Sequence, residues 1–133
     1  MKIHHVGYLV KKIDKSIKSF EALGYKKESE ICYDEYRDID ICFMNKDGYR
    51  IELVMPKSQE SVVYKMLKKI GVSPYHLCYE VNNVDDAIKL FTTEKGYVLM
   101  GEKCKAPAID NNYVVFLFNK DIGIIELLER KEK

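Results

Sequence analysis

Two histidines and two glutamates recur at matching places along this 133-residue chain. His5 and His76 each open an alternating apolar segment, and Glu52 and Glu126 each lie inside an Ile-Glu-Leu segment. Histidine and glutamate are separated by 47 residues in the first pair and by 50 in the second. Two imidazoles and two carboxylates suit a borderline divalent ion. The pattern predicts a metal site formed by His5, Glu52, His76 and Glu126, with one ion per site and nickel, cobalt or zinc favoured.

The four residues belong to an internal repeat. Residues 5–20 (HVGYLVKKIDKSIKSF) and 76–91 (HLCYEVNNVDDAIKLF) share seven identities at an offset of 71. The similarity restarts with Gly-Tyr at 24 and 96, and with NKDGYRIEL (45–53) and NKDIGIIEL (119–127), at offsets of 72 and 74. Chance similarity would not restart at a nearly constant offset, so the chain contains two copies of one unit.

The length predicts a single domain over 1–133. Within it the repeat predicts a first βαβββ module at 1–57, a linker helix at 58–73 and a second βαβββ module at 74–133. The fold class is therefore α+β, with two βαβββ modules forming a curved mixed sheet around a metal-binding cleft.

Each module is expected to have the same element order. A strand leads to a helix that Asp14 or Asp85 caps and Gly24 or Gly96 ends. Three strands follow in each module, and Lys-Asp-Gly at 46–48 predicts a hairpin turn. These strands are expected at about 25–33, 38–45 and 48–55, then at about 97–103, 113–119 and 123–129. Apolar spacing predicts a linker helix at 59–70, terminated by Gly71 and Pro74.

Strand alternation decides which way the candidate ligands point. Val6, Tyr8 and Val10 face the helix, so His5 lies on the other face, and the same reasoning places Glu52, His76 and Glu126 there. If two such sheets curve around a common cleft, the four side chains converge. In the alternative, the histidines are half-buried strand residues and the glutamates point to solvent. His4, on the helix-facing side, is interpreted as a packing or capping residue.

The segments HHVGYLV, YRIELVMP, PYHLCYEV and GIIELLE resemble the vicinal oxygen chelate superfamily (glyoxalase/bleomycin resistance/dihydroxybiphenyl dioxygenase-like) over essentially the whole chain. The order and spacing of the four ligands resemble bacterial glyoxalase I (lactoylglutathione lyase). The short linker helix and the strand after it, SVVYKMLKKIGVSPYHLCYEV, are equally similar to methylmalonyl-CoA epimerase.

The main expectation from this resemblance is a glyoxalase I-type carbon–sulfur lyase in methylglyoxal detoxification. Such an enzyme isomerises the hemithioacetal of methylglyoxal and a thiol to a 2-hydroxyacyl thioester through an enediolate. Glu126 is then the catalytic base, and Glu52 is a ligand and a possible base for the opposite face.

Two alternatives stay open. A methylmalonyl-CoA epimerase-like enzyme would exchange an α-proton on a CoA thioester with two acid/base groups. The family's second base, a glutamate, aligns with Tyr36, beside Glu35 and Asp34. A small-molecule binding or resistance protein without catalysis is the third interpretation. Arg37, Arg50 and Tyr36 are candidates for substrate binding, although solvation at the surface would also explain the two arginines.

Composition limits the partners. The 22 basic and 21 acidic side chains leave a net charge of +1, which argues against nucleic acid or an anionic membrane surface as a partner. No apolar run or leader pattern indicates a membrane span or signal peptide. The four cysteines form no CxxC pair and are expected to be reduced thiols. We expect a soluble cytoplasmic homodimer acting on a small-molecule thiol adduct or thioester, with RKEK (130–133) as a solvated tail.

Overall fold

The computed structural model describes residues 1–131, which divide into two compact units. The first, here called the N-terminal unit, is His5–Tyr75, and the second, the C-terminal unit, is the chain from His76 onward together with Met1–His4. The module boundaries expected from the repeat stay a prediction. Glu132 and Lys133, at the end of the second module and of the predicted tail, lie outside the described residues.

The order of strands and helices follows the internal repeat of the sequence. The first copy holds β1 (Ile3–Leu9), α1 (Ile13–Ala22), β2 (Lys26–Lys27), β3 (Cys32–Asp34), β4 (Ile39–Lys46) and β5 (Tyr49–Pro56), with α2 (Tyr64–Ile70) following. The second copy holds β6 (Ser73–Val81), α3 (Val84–Glu94), β7 (Val98–Leu99), β8 (Cys104–Ala106), a 3₁₀ turn (Pro107–Ile109), β9 (Asn112–Asn119) and β10 (Gly123–Glu129). This order confirms the α+β class, and the βαβββ pattern occurs in two copies.

In the N-terminal unit the strands follow the order β2-β4-β5-β1, and β3 also pairs with β4. Strands β1 and β5 are parallel with Gly7 opposite Glu52, whereas β4 and β5 are antiparallel with Phe43 opposite Glu52. Helix α1 covers one face through Ile13 and Ile17. The core beneath it comprises Val10, Cys42, Met44, Ile51 and Leu53.

The C-terminal unit repeats this pattern in the order β6-β10-β9-β7, with β8 also pairing with β9. Strands β6 and β10 are parallel with Cys78 opposite Glu126, and Phe116 of the antiparallel β9 also lies opposite Glu126. Helix α3 packs on the other face. The core there comprises Val84, Ala87, Phe91, Val115, Leu117, Ile125 and Leu127.

The first strand after each helix is broken in two, which the sequence did not predict. The segment expected at 25–33 forms β2 and β3, and the one expected at 97–103 forms β7, with β8 following at Cys104–Ala106. Both short strands of a copy pair with the same neighbour, β4 or β9. The chain between them carries no continuous apolar alternation, although Glu28 and Met100 each still donate a backbone N–H to that neighbouring strand.

The predicted aspartate caps are wrong. Helix α1 begins at Ile13 after Lys12, and α3 begins at Val84, where the Asn83 side chain accepts from the Asp86 N–H. Asp14 and Asp85 instead lie in the first helical turn, where a negative charge favours the positive end of the helix dipole. Gly24 and Gly96 follow the helix ends as predicted.

The connections differ from expectation in two further places. Helix α2 begins only at Tyr64, so it is shorter than the predicted 59–70, and Pro74 lies within β6 instead of ending the helix. The predicted hairpin turn is confirmed, because Asp47 and Gly48 both have positive φ (54° and 86°). Two such residues form the tight loop whose twist matches that of the flanking strands.

The corresponding hairpin in the C-terminal unit has one extra residue, because Gly123 pairs with Asn119 while Tyr49 pairs with Lys46. Phe43 therefore corresponds to Phe116, at an offset of 73, and the offset of 74 applies only after the turn. The Asn-Lys-Asp sequences at 45–47 and 119–121, which match in sequence, therefore do not occupy equivalent positions in the two hairpins. Separately, none of the helices in residues 1–131 is long and apolar enough to cross a membrane.

Candidate metal ligands and the family of the chain

The N-terminal unit brings His5 and Glu52 together. His5 precedes Gly7 by two residues on β1, and Gly7 lies opposite Glu52 on β5. His5 Nε2 is 3.3 Å from Glu52 Oε1, and both side chains are buried. Two donors at about 2.1 Å from one ion and at right angles to each other lie about 3.0 Å apart. The pair therefore has the spacing of neighbouring ligands on a metal ion.

The C-terminal unit builds an equivalent pair. His76 precedes Cys78 by two residues on β6, and Cys78 lies opposite Glu126 on β10. His76 Nε2 is 3.1 Å from Glu126 Oε1. The two glutamates are only 5% and 2% exposed, respectively, so the alternative in which they point to solvent is wrong. A buried carboxylate requires a positive partner or a metal ion, and each unit holds its carboxylate against an imidazole.

A phenyl ring packs against each histidine, and the sequence analysis missed both rings. The Phe43 and His5 centroids are 5.3 Å apart at 68°, and those of Phe116 and His76 are 5.2 Å apart at 86°. Phe43 and Phe116 stand opposite the two glutamates on β4 and β9. The alternation of β4 and β9 carried a signal for them, because both rings lie on the face away from the helix.

His4 contacts an arginine of the C-terminal unit. It is buried, and its Nε2 lies 3.3 Å from Nη2 of Arg130. The structure therefore agrees with the interpretation of His4 as a packing residue. Arg130 is also anchored through its backbone N–H, which donates to Val81 O at 2.8 Å. The predicted solvated tail is thus wrong at its first residue.

Arg37 and Tyr36, both predicted to bind substrate, lie in the turn after β3. Asp34 is fully buried and organises this turn: its Oδ1 accepts the backbone N–H groups of Tyr36 and Arg37. Its Oδ2 accepts from Arg37 Nη1 at 2.9 Å. Arg37 therefore stabilises the turn, while the side chain of Tyr36 is exposed.

Arg50 belongs to a polar cluster beside Glu52. Its Nε donates to Glu28 Oε2 at 2.9 Å, and Glu28 Oε1 accepts from Asn45 Nδ2 at 2.6 Å. Arg50 precedes Glu52 by two residues on β5, so both project from the same face. Arg50 therefore lies near the candidate ligands, but its Nε is hydrogen-bonded to Glu28.

None of the four cysteines, all within residues 1–131, forms a disulfide. Cys42 and Cys78 are buried, and burial raises the pKa of the Cys42 thiol above its ordinary value. A thiol with a raised pKa is a poor nucleophile at neutral pH. Cys42 is therefore not a candidate nucleophile.

Comparison with known proteins identifies the family. Residues 4–116 match the sequence model of the glyoxalase/bleomycin resistance protein/dioxygenase superfamily. The chain belongs to this superfamily. Its mixed α+β architecture matches the fold of this superfamily. The sequence resemblance had indicated both the fold and the superfamily.

Several relatives are methylmalonyl-CoA epimerases. The mitochondrial enzyme of Bos taurus is 26% identical over 130 residues, which cover 95% of this chain and 73% of the bovine one. The crystal structure of the Mycobacterium tuberculosis epimerase superposes with a TM-score of 0.83 at 25% identity, covering 98% of this chain and 88% of the other. A Streptomyces coelicolor epimerase bound to 2-nitronate-propionyl-CoA matches in fold, with a TM-score of 0.81 at 20% identity over 99% of both chains.

These relatives overturn the main functional expectation. The predicted glyoxalase I-type lyase, with its role in methylglyoxal detoxification, is wrong, because the relatives by sequence and by structure are epimerases. The physical reason is that the donor set determines which ion can bind and not which substrate binds beside it. The relatives are nevertheless enzymes, as the sequence analysis expected.

Proposed function

We propose that this chain is an epimerase that acts on a methylmalonyl-CoA-type thioester, in which one group removes the α-proton and a second group donates a proton to the opposite face of the α-carbon. The similarity to the bovine epimerase along 95% of the chain carries this proposal. The two buried His–Glu pairs support it, because buried ionisable groups held close together are typical of functional sites.

We propose further that His5, Glu52, His76 and Glu126 hold one divalent ion, with nickel, cobalt or zinc favoured. Each offers one ligand atom, and all four side chains are buried. Two neutral imidazoles and two carboxylates balance the charge of the ion. When bound, the ion stabilises the negative charge that develops on the thioester oxygen as the α-proton leaves.

Glu126 is the proposed acid/base group for one face of the α-carbon. It is buried against the imidazole of His76, and pairing of β10 with β6 on one side and β9 on the other fixes its backbone. A group held in this way can take a proton without first reorganising surrounding water.

Glu35 is the proposed acid/base group for the opposite face. The sequence analysis left Tyr36, Glu35 and Asp34 as candidates at this place. The Asp34 carboxylate already accepts hydrogen bonds from the backbone of its turn and from the Arg37 side chain. A tyrosine hydroxyl such as that of Tyr36 accepts a proton less readily than a carboxylate does. Glu35 is exposed on the same turn, and its carboxylate takes no part in the Asp34 network.

Two glutamine variants test these roles. Glu35→Gln and Glu126→Gln should each lower epimerisation at least about 100-fold, because general acid–base groups typically contribute that much. Glu35→Gln should still exchange the α-proton of one C2 epimer with D₂O, since Glu126 keeps its role on the other face. Glu126→Gln also removes a proposed metal ligand and should lower exchange from both epimers. Chiral analysis coupled to mass spectrometry reports both quantities.

Glu60→Gln is the matched control, because Glu60 is an exposed glutamate near α2 and should leave both rates unchanged. Loss of exchange from both C2 epimers in Glu35→Gln, in a variant that still binds metal, would contradict a separate second base. Full activity in Glu126→Gln would contradict the role of Glu126.

The proposed enzyme works in the cytoplasm as a homodimer. Light scattering of the purified, metal-loaded protein should give a mass of about 31 kDa, twice the 15.6 kDa of the chain.

A further inference from the structure

The two units are equivalent in strand register but opposite in chemistry on the face that carries the histidines and glutamates. In the N-terminal unit Asn45 lies between Lys26 on β2 and Arg50 on β5. In the C-terminal unit Phe118 lies between Val98 on β7 and Ile124 on β10. Glu28 and Met100 also correspond, because each donates its backbone N–H to the phenylalanine that packs on the histidine.

The N-terminal version of this surface is polar. Glu28 accepts hydrogen bonds from both Arg50 and Asn45, and Lys26 is exposed at the end of the row. The sheet architecture therefore does not require apolar residues at these positions, which face away from the helix.

The C-terminal version is an exposed apolar strip, formed by Val98, Met100, Phe118 and Ile124. Val98 is 65% exposed, and Met100 and Phe118 are each 42% exposed. Exposed apolar side chains grouped on one face indicate a surface that binds another molecule. Their polar counterparts in the other unit make this grouping specific to the C-terminal unit.

The strip is continuous with the proposed catalytic residues of its own unit. Phe116 lies beside Met100 across the β7–β9 pairing and packs edge-on against His76. The distance from β10, which carries Glu126, to β7 is two strand spacings, about 10 Å. A ligand whose reacting atoms lie at Glu126 would extend over the strip with the adjoining part of its chain.

We propose that this strip binds the pantetheine arm of the thioester substrate. The inference rests on the proposed function and adds the part of the protein that recognises the carrier. The arm carries methylene segments on the thioester side and a gem-dimethyl group at its far end, and these apolar groups complement Phe118, Met100 and Val98. The acyl group is short and anionic, and it finds no cationic partner among the four strip residues.

Phe118→Asn tests the strip, because asparagine is the residue at the corresponding place in the N-terminal unit. The variant is assayed with methylmalonyl-CoA and with the N-acetylcysteamine thioester of the same acyl group, which lacks most of the arm. We expect the ratio of kcat/KM for the two substrates to fall about tenfold, through KM of the CoA thioester. Phe118→Leu, which keeps an apolar contact, should restore most of the ratio.

Leu90→Asn on α3 is the matched control, since Leu90 is also 42% exposed but lies on the helix and not on the strip. An unchanged ratio in Phe118→Asn would overturn the inference, as would an equal loss with both substrates. Conversion of a dimer to a monomer with an unchanged KM would instead assign the strip to contact with a second copy.

Calorimetry with a non-hydrolysable CoA thioether separates this inference from the proposed reaction. If the wild-type protein binds the thioether but does not epimerise, the reaction is wrong, and a weaker Kd in Phe118→Asn still supports the strip. If the wild-type protein epimerises and Phe118→Asn binds the thioether equally well, the strip is wrong and the reaction stands. Absence of both binding and turnover overturns both.

Discussion

Each buried glutamate of the candidate site lies against one imidazole, and each imidazole lies against one phenyl ring. The carboxylate could not remain buried without the imidazole or a metal ion. The phenyl ring limits rotation of the imidazole, so Nε2 stays directed at Glu52 or Glu126. Groups that orient metal ligands typically change metal affinity by 10- to 100-fold.

Phe116→Ala should therefore weaken metal binding about tenfold, because the ring of His76 loses the contact that orients it. Competition titration with a chromogenic chelator measures this change on zinc or cobalt. Phe118→Ala removes a phenyl ring of the same strand that does not touch His76, and its metal affinity should match that of the wild type. Equal affinities in all three proteins would show that the ring does not orient His76.

At the scale of elements, the sequence predicted the strand faces and missed the contacts that depend on strand pairing. Alternation alone placed Ile51 and Leu53 under the helix and Glu52 on the other face, and the structure agrees. The rings of Phe43 and Phe116 could be assigned to the histidines only once the register of β4 and β9 was known. The turn around Asp34 was unpredictable for the same reason, because its carboxylate is buried by tertiary packing.

The turn between β3 and β4 carries a pH-dependent contribution to stability. Hydrogen bonds donated by Ser58 and Tyr33 hold the pKa of the Asp38 carboxyl below its ordinary value. A carboxyl with a lowered folded-state pKa adds stability above its unfolded pKa of about 3.9, and this is lost as the pH falls through the lower, folded value.

Asp38→Asn should therefore lower Tm at pH 7, and the difference from the wild type should shrink by pH 3. Aspartate and asparagine both tolerate the positive φ of 55° at position 38. Thermal denaturation followed by circular dichroism measures the difference at the two pH values. Asp47→Asn, at another exposed aspartate with positive φ (54°), is the control. An Asp38→Asn deficit that is the same at pH 7 and pH 3 would contradict the assignment.

At the scale of the whole molecule, the repeat predicted two copies of one fold, and the structure has them. The repeat did not predict the reaction, because the residues that it shares determine the fold and the donor set. The strip that we propose for the carrier arm lies where the copies differ, because Phe118 in the C-terminal unit corresponds to Asn45 in the N-terminal unit. The matching spacing of the histidines and glutamates therefore identified the superfamily. It could not distinguish a lyase from an epimerase.

Metal-dependent exchange of the substrate α-proton tests the central claim most directly. The protein is stripped with a chelator, reloaded with nickel, cobalt or zinc, and incubated with one C2 epimer of methylmalonyl-CoA in D₂O, while the α-hydrogen is followed by NMR. We expect about one ion per chain, exchange and inversion in the reloaded protein, and loss of at least about 100-fold of both rates in the stripped protein. A folded, metal-loaded protein that neither exchanges nor inverts the α-carbon would contradict the account.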